Sequence, residues 1–231
     1  MGAIIITGFF MLVGWLVSSR LKAKFKRYSE IRLTKDLTGA EIARLMIADN
    51  GINDVQVISV EGQLTDHYNP ATKTVNLSHD VYHGRNAAST AVAAHECGHA
   101  VQHAKAYSML QFRSAMVPIQ NVSAKVINMV FLGMMFGSFL FKGLFSMDVA
   151  LMVIIACYGV FALFALVTLP VEFDASKRAL AWIEARGIVT SQEHAMAKDA
   201  LNSAAMTYVV AAIGAVTMLL YYVMIFLGRR D

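Results

Sequence analysis

Ala91-Val92-Ala93-Ala94-His95-Glu96-Cys97-Gly98-His99-Ala100-Val101-Gln102-His103 is the stretch on which the reading of this chain turns. It holds no proline, and the good helix formers around the charged positions predict a helix. On a helix, positions i and i+4 share a face, so His95 and His99 are spaced to grip one divalent ion together. Glu96 stands one residue along, beside that face, where a carboxylate can take a proton from a metal-activated water. Two imidazoles and a carboxylate in this order predict a Zn2+ site with a general base, the equipment of a metallopeptidase. Cys97 lies two positions from each histidine, about 200° round the helix, and so faces away from such an ion.

Outside the motif the chain is too apolar for an ordinary soluble domain: 57% of its 231 residues are hydrophobic, 16% are charged, and the mean hydropathy is +0.52. Crossing a bilayer takes about 20 apolar residues. Four runs qualify: Ala3 to Val17 with Ser18 and Ser19 behind it, Val126 to Phe145, the uncharged Val149 to Leu169, and Met206 to Leu227. A polytopic protein of the lipid bilayer is expected. The first run has neither a basic leader nor a small-residue cleavage site, which predicts an uncleaved anchor rather than a secretion signal. Arg20, Lys22, Lys24, Lys26 and Arg27 follow it and predict that this flank faces the cytoplasm. Arg32, Arg113, Lys125, Lys177 and Arg178 share that side, against Lys142, Arg229 and Arg230 on the other. The balance predicts a multi-pass protein of the plasma membrane with a cytoplasmic catalytic side. The net charge of +4 gathers at the membrane flanks, where anionic headgroups account for it better than nucleic acid. Two cysteines supply no disulfide framework.

Between the first two runs the sequence reads as a small globular unit. Thr38 and Glu41 form a capping box for a helix from Gly39 to Asp49, which Asn50-Gly51 ends. Val55 to Val60, Leu64 to Tyr68 and Thr74 to Leu77 read as strands, and a long helix follows from Asn86 to Ala104. Thr74 to Leu77 is the expected exposed edge on which an extended peptide would pair beside the metal. From Gln111 to Lys125 a surface helix is expected, and beyond Pro170 a polar helix running to Asn202. The fold class is therefore membrane α-helical, with four transmembrane helices and a small α+β, zincin-like catalytic domain carrying the motif helix. The expected segments are an anchor at 3–19, the catalytic domain with its surface helix at 20–125, a transmembrane hairpin at 126–170, a cytoplasmic helix at 171–204 and a last span at 205–228.

Catalytic zinc takes three protein ligands and leaves one position open. His103 is excluded as the third, because on a continuous helix it stands about 12 Å along the axis from His95. His67, in Thr65-Asp66-His67-Tyr68, is one alternative. Glu172 is the stronger, a carboxylate placed where an apolar run ends and costly there unless paired or metal-bound. Asp174, two residues on, points elsewhere round the helix and suits a role in orienting a histidine ring. His67, Tyr68, His103, Arg178 and Tyr208 are all chemically able to stabilise an oxyanion.

Ala94 to His103, Leu64-Thr65-Asp66-His67-Tyr68 and Leu169-Pro170-Val171-Glu172-Phe173-Asp174-Ala175-Ser176 together resemble the YugP-type neutral zinc metallopeptidases of bacteria, over essentially the whole chain. The chain is similar, more distantly, to gluzincin membrane proteases of the HtpX type, in which a glutamate after a transmembrane hairpin is the third ligand. That resemblance implies Glu172 as ligand, Zn2+ as cofactor, Glu96 as catalytic base, and peptides or proteins, membrane proteins among them, as substrates. In those relatives an aspartate stands four residues after the ligand glutamate, where this chain has Ser176. The reading from a different class is a zinc-stabilised membrane scaffold or adaptor without turnover.

Overall fold

The computed structural model describes residues 1–140 and 146–229. Its elements run α1 (Gly2–Ser29), α2 (Gly39–Asp49), β1 (Gln56–Val60), β2 (His67–Asn69), β3 (Thr74–Ser78), α3 (His79–His83), α4 (Ala87–Ala104), α5 (Ser108–Leu140), α6 (Met147–Ala185) and α7 (Ser191–Leu227). Among the described residues four helices, α1, α5 as far as Met135, α6 and α7, are long and apolar enough to cross a membrane. The connection expected around Lys142, the end of the second run at Phe145, and Arg230 lie outside the described residues.

The chain divides into two units, one from Met1–Gly14, Phe112–Leu169 and Tyr208–Asp231, the other from Trp15–Gln111 and Pro170–Thr207. In the first, Ile127, Leu151, Ile154, Met218 and Tyr222 form a buried apolar cluster. The second contains the motif helix, and its core draws on α2, β3, α3, α4 and the polar parts of α6 and α7.

Local chemistry starts and stops these elements. The Thr38 hydroxyl accepts from the Glu41 N–H at 3.1 Å, while the Thr38 N–H donates to the Glu41 carboxylate at 2.7 Å. Gly51 ends α2 at φ +68°, a conformation that favours glycine. Asn86 caps α4 by accepting from the Ser89 N–H at 2.9 Å. Ala, Ser, Thr, Gly and Cys dominate α4, and it is buried on almost every side, so neighbours can approach its backbone closely.

Three expectations are corrected. Thr74 to Leu77 is not an edge: β3 is the central strand of a β1-β3-β2 sheet, parallel to β1 and antiparallel to β2. Val75, Asn76, Leu77 and Ser78 are all buried, as suits a strand paired on both sides. The surface helix expected at Gln111 to Lys125 is the first part of α5 and runs unbroken into the second apolar stretch. The polar helix expected from Pro170 to Asn202 is two helices. Pro170 costs α6 one backbone hydrogen bond without ending it, and α6 continues to Ala185. Gly187, at φ +64°, then turns the chain, and the Glu193 carboxylate accepts from the Thr190 N–H at 2.7 Å to start α7.

Candidate metal centre

His95 and His99 lie on α4, and Glu172 lies on α6 two residues past Pro170. Their ligand atoms all fall within 4.8 Å of one another. Glu172 Oε2 is 3.3 Å from His95 Nε2 and 3.6 Å from His99 Nε2. A tetrahedral ion with bonds near 2.1 Å sets its ligand atoms about 3.4 Å apart, so the two carboxylate–imidazole separations fit zinc. The donor chemistry fits as well, since two imidazole nitrogens and one carboxylate form a known catalytic zinc set with an open fourth position.

Glu172 is 2% exposed. Burial alone would push its carboxyl up, but the His95 and His99 ring nitrogens outweigh burial and hold it well below the usual carboxylate range. For His99 burial pulls the imidazole down, and the nearby carboxylates of Glu172 and Glu96 bring it above its ordinary value. With the rings neutral, a buried carboxylate facing two imidazole nitrogens presents a cation with one negative charge and two lone pairs.

The far side of each ring is also held. His99 Nδ1 is 3.0 Å from Gln102 Oε1, and His95 Nδ1 is 3.1 Å from Ser176 Oγ. Both supports follow from helix geometry. Gln102 is three residues beyond His99 on α4, and Ser176 is four beyond Glu172 on α6, so each shares the face of a ligand. Gly98 lets the two helices meet: a Cβ there would stand 2.5 Å from the Ala175 carbonyl oxygen.

Glu96 is 8% exposed, and its Oε2 accepts from the Tyr68 backbone N–H at 3.0 Å. The outer edge of β2, not β3, therefore borders the site. Asp66 anchors that edge by accepting from the Ser78 N–H at 2.7 Å and the Ser78 hydroxyl at 3.0 Å; burial pushes its carboxyl up. The Tyr68 phenol lies 2.7 Å from His103 Nδ1, with the rings tilted and 5.7 Å apart, and burial pushes the phenol up so that it stays protonated.

The remaining expected residues fall elsewhere. His67 is exposed, its Nδ1 2.8 Å from its neighbour Thr65 carbonyl, outside the His95, His99 and Glu172 cluster. Asp174 reaches Gln102 Nε2 at 2.8 Å rather than a histidine ring. Arg178 donates to Asp174 at 2.5 Å and lies over the Tyr107 ring at 5.8 Å. Tyr208 belongs to the other unit. Cys97 is buried with its thiol against the Ala43 carbonyl, and burial pushes that thiol up, leaving a small apolar residue at the back of the motif helix.

Residues 3–227 match the family described as "Putative neutral zinc metallopeptidase". The chain belongs to this family. It is similar to "Putative membrane protease YugP" of Bacillus subtilis (strain 168), at 41% identity over 213 residues that span 92% of this chain and 91% of the relative. No solved structure matches it. Membership of a zinc metallopeptidase family agrees with the metal fit of the three converging side chains, and the relative's description as a membrane protease agrees with the four long apolar helices.

Proposed function

We propose that this chain is an integral-membrane zinc endopeptidase of the gluzincin type, with a zincin-like domain built round α4. His95, His99 and Glu172 hold the ion, and Glu96 is the general base. The convergence of the three ligand atoms within 4.8 Å, on the helix that also carries Glu96, supports this reading above all else. Zinc, when bound in such a site, acidifies a water and polarises a carbonyl. Glu96, oriented by the Tyr68 N–H, takes the proton released by the attacking water and passes it to the departing amine nitrogen. The Tyr68 phenol, when it accepts from the His103 ring, keeps its own hydrogen to donate to the carbonyl oxygen as that atom gains charge.

The substrates are peptides or proteins, membrane proteins among them. Glu172 follows directly on the uncharged run 149–169, which favours a site close to the bilayer surface. The cluster Arg20, Lys22, Lys24, Lys26 and Arg27 favours the cytoplasmic side.

The deciding experiment pairs elemental analysis with a cleavage assay on purified wild type and Glu96→Gln. One zinc per chain in both proteins, with cleavage only in the wild type, is the expected result. Cleavage by Glu96→Gln would refute the assigned base. Zinc in both with turnover in neither would move the scaffold reading ahead.

A further inference from the structure

Gln102 is fully buried, and every polar atom of its amide is engaged. Its Nε2 donates at 2.8 Å to the Val171 carbonyl and at 2.8 Å to Asp174 Oδ2. A carbonyl offers only acceptance, and so does the Asp174 carboxylate, which already accepts from Arg178. These two partners fix which end of the amide is nitrogen. The oxygen end is left facing His99 Nδ1 at 3.0 Å. An amide oxygen cannot donate, so Nδ1 carries a hydrogen, and in the neutral ring that a metal takes Nε2 is the nitrogen left with a lone pair, on the side of Glu172 and the cluster centre.

We infer that Gln102 is the residue that sets the metal-binding form of His99 and locks the ligand-bearing turns of α4 and α6 together. Its amide joins a ligand on α4 to the Val171 backbone, immediately before the ligand Glu172, and to Asp174 just after it. Asp174 and Arg178 act through it: Arg178 holds Asp174, Asp174 holds the amide, and the amide holds the ring. Gln102 is a positioning residue, since it touches a ligand and not the reacting atoms. The inference rests on the proposed zinc site of His95, His99 and Glu172.

The test is zinc affinity, measured on the full chain in detergent by competition with a chromophoric chelator, together with the d–d spectrum of the cobalt-substituted protein. Gln102→Met keeps the volume and removes the hydrogen bonds. It should weaken zinc binding by about 10–100-fold and alter the cobalt bands. A folded Gln102→Met with wild-type zinc affinity would reduce Gln102 to a packing residue and overturn the inference. Should Gln102→Met not fold, histidine nitrogen-15 NMR on the zinc-loaded wild type decides. A solvent-protected Nδ1–H on His99 supports the inference, and coordination through Nδ1 overturns it. Failure of the wild type to bind zinc at all would refute the metal site itself, a result distinct from zinc that binds and is indifferent to Gln102.

Discussion

Gly98→Ala isolates the contact between α4 and α6 that brings Glu172 to the histidines. The added Cβ would stand 2.5 Å from the Ala175 carbonyl oxygen, 3.0 Å from its carbonyl carbon and 3.1 Å from its Cα. All three are backbone atoms, so no side-chain rotation relieves the clash. Restoring even the tight limit of 3.0 Å requires a separation of 3.0 − 2.5 = 0.5 Å, and an ordinary 3.4 Å contact requires 3.4 − 2.5 = 0.9 Å. Ala175 is one turn past Glu172, so the displacement reaches the carboxylate nearly undiminished. Zinc ligand distances hold to about ±0.2 Å, several times less than the required shift. Stability is the weaker readout, because alanine gains about 1 kcal/mol of helix propensity against an overpacking cost of about 1–3 kcal/mol. Zinc affinity is the stronger one, with an expected loss of about 10-fold or more, as for other disturbed ligand supports. Chelator competition on purified protein measures it, and Gly14→Ala, with nothing within 4 Å of the new Cβ, is the control. Wild-type zinc affinity in a folded Gly98→Ala would show that the helices part without disturbing the ligands and would refute the reasoning.

Glu172→Ala should reduce bound zinc from one per chain to a small fraction by elemental analysis; full retention would send the third ligand elsewhere. Tyr68→Phe removes the proposed oxyanion donor and should lower kcat by about 100–1000-fold with zinc content unchanged, and an unchanged kcat would exclude the phenol. Glu193 is 5% exposed; burial pushes its carboxyl up, but hydrogen bonds from the Thr190 and Thr34 backbones outweigh this and hold it below its ordinary value. Its folded form therefore binds fewer protons than its unfolded form, and the stability it contributes is present above the unfolded pKa and lost as pH falls through the folded one. Glu193→Gln should flatten the acid limb of thermal stability, and an unchanged acid limb would assign that loss to other carboxylates.

How much of this was legible beforehand follows the range of the interactions involved. The capping box at Thr38 and Glu41, the stop at Asn50-Gly51 and the motif helix are local, and their sequence signals matched the structure to within a residue. The same kind of signal stands at Gly187, Thr190 and Glu193, where the sequence reading runs two helices together. Strand order is not local. Nothing within Thr74 to Leu77 says that β1 pairs on one side and β2 on the other, and the edge was assigned to the wrong strand. Gln102 looks like an ordinary polar helical residue and carries no sequence signal of its own, while Ser176 stands out only as the residue where relatives have an aspartate. Their i+3 and i+4 offsets from His99 and Glu172 were the available clue.

The supports of the site concentrate at one crossing. Gly98 against Ala175, Gln102 against Val171 and Asp174, and Ser176 against His95 all lie within about two turns of α4 and two turns of α6. Each contact alone tolerates error, because a glutamine can re-aim and a serine can rotate. Together they leave the two helices one mutual position, and that position brings Glu172 Oε2 to 3.3 and 3.6 Å from the two histidine nitrogens. Packing and coordination geometry are therefore set by the same few residues. A substitution along the crossing should therefore act on metal affinity as well as on packing, since Cys97, Ala100 and Val101 of α4 and Ala179 and Ile183 of α6 share one core with Ile42, Met46 and Leu77. Small residues are required where the backbones touch, and long polar ones where a ring must be held. Those two demands account for Gly98 and Gln102 on the motif helix.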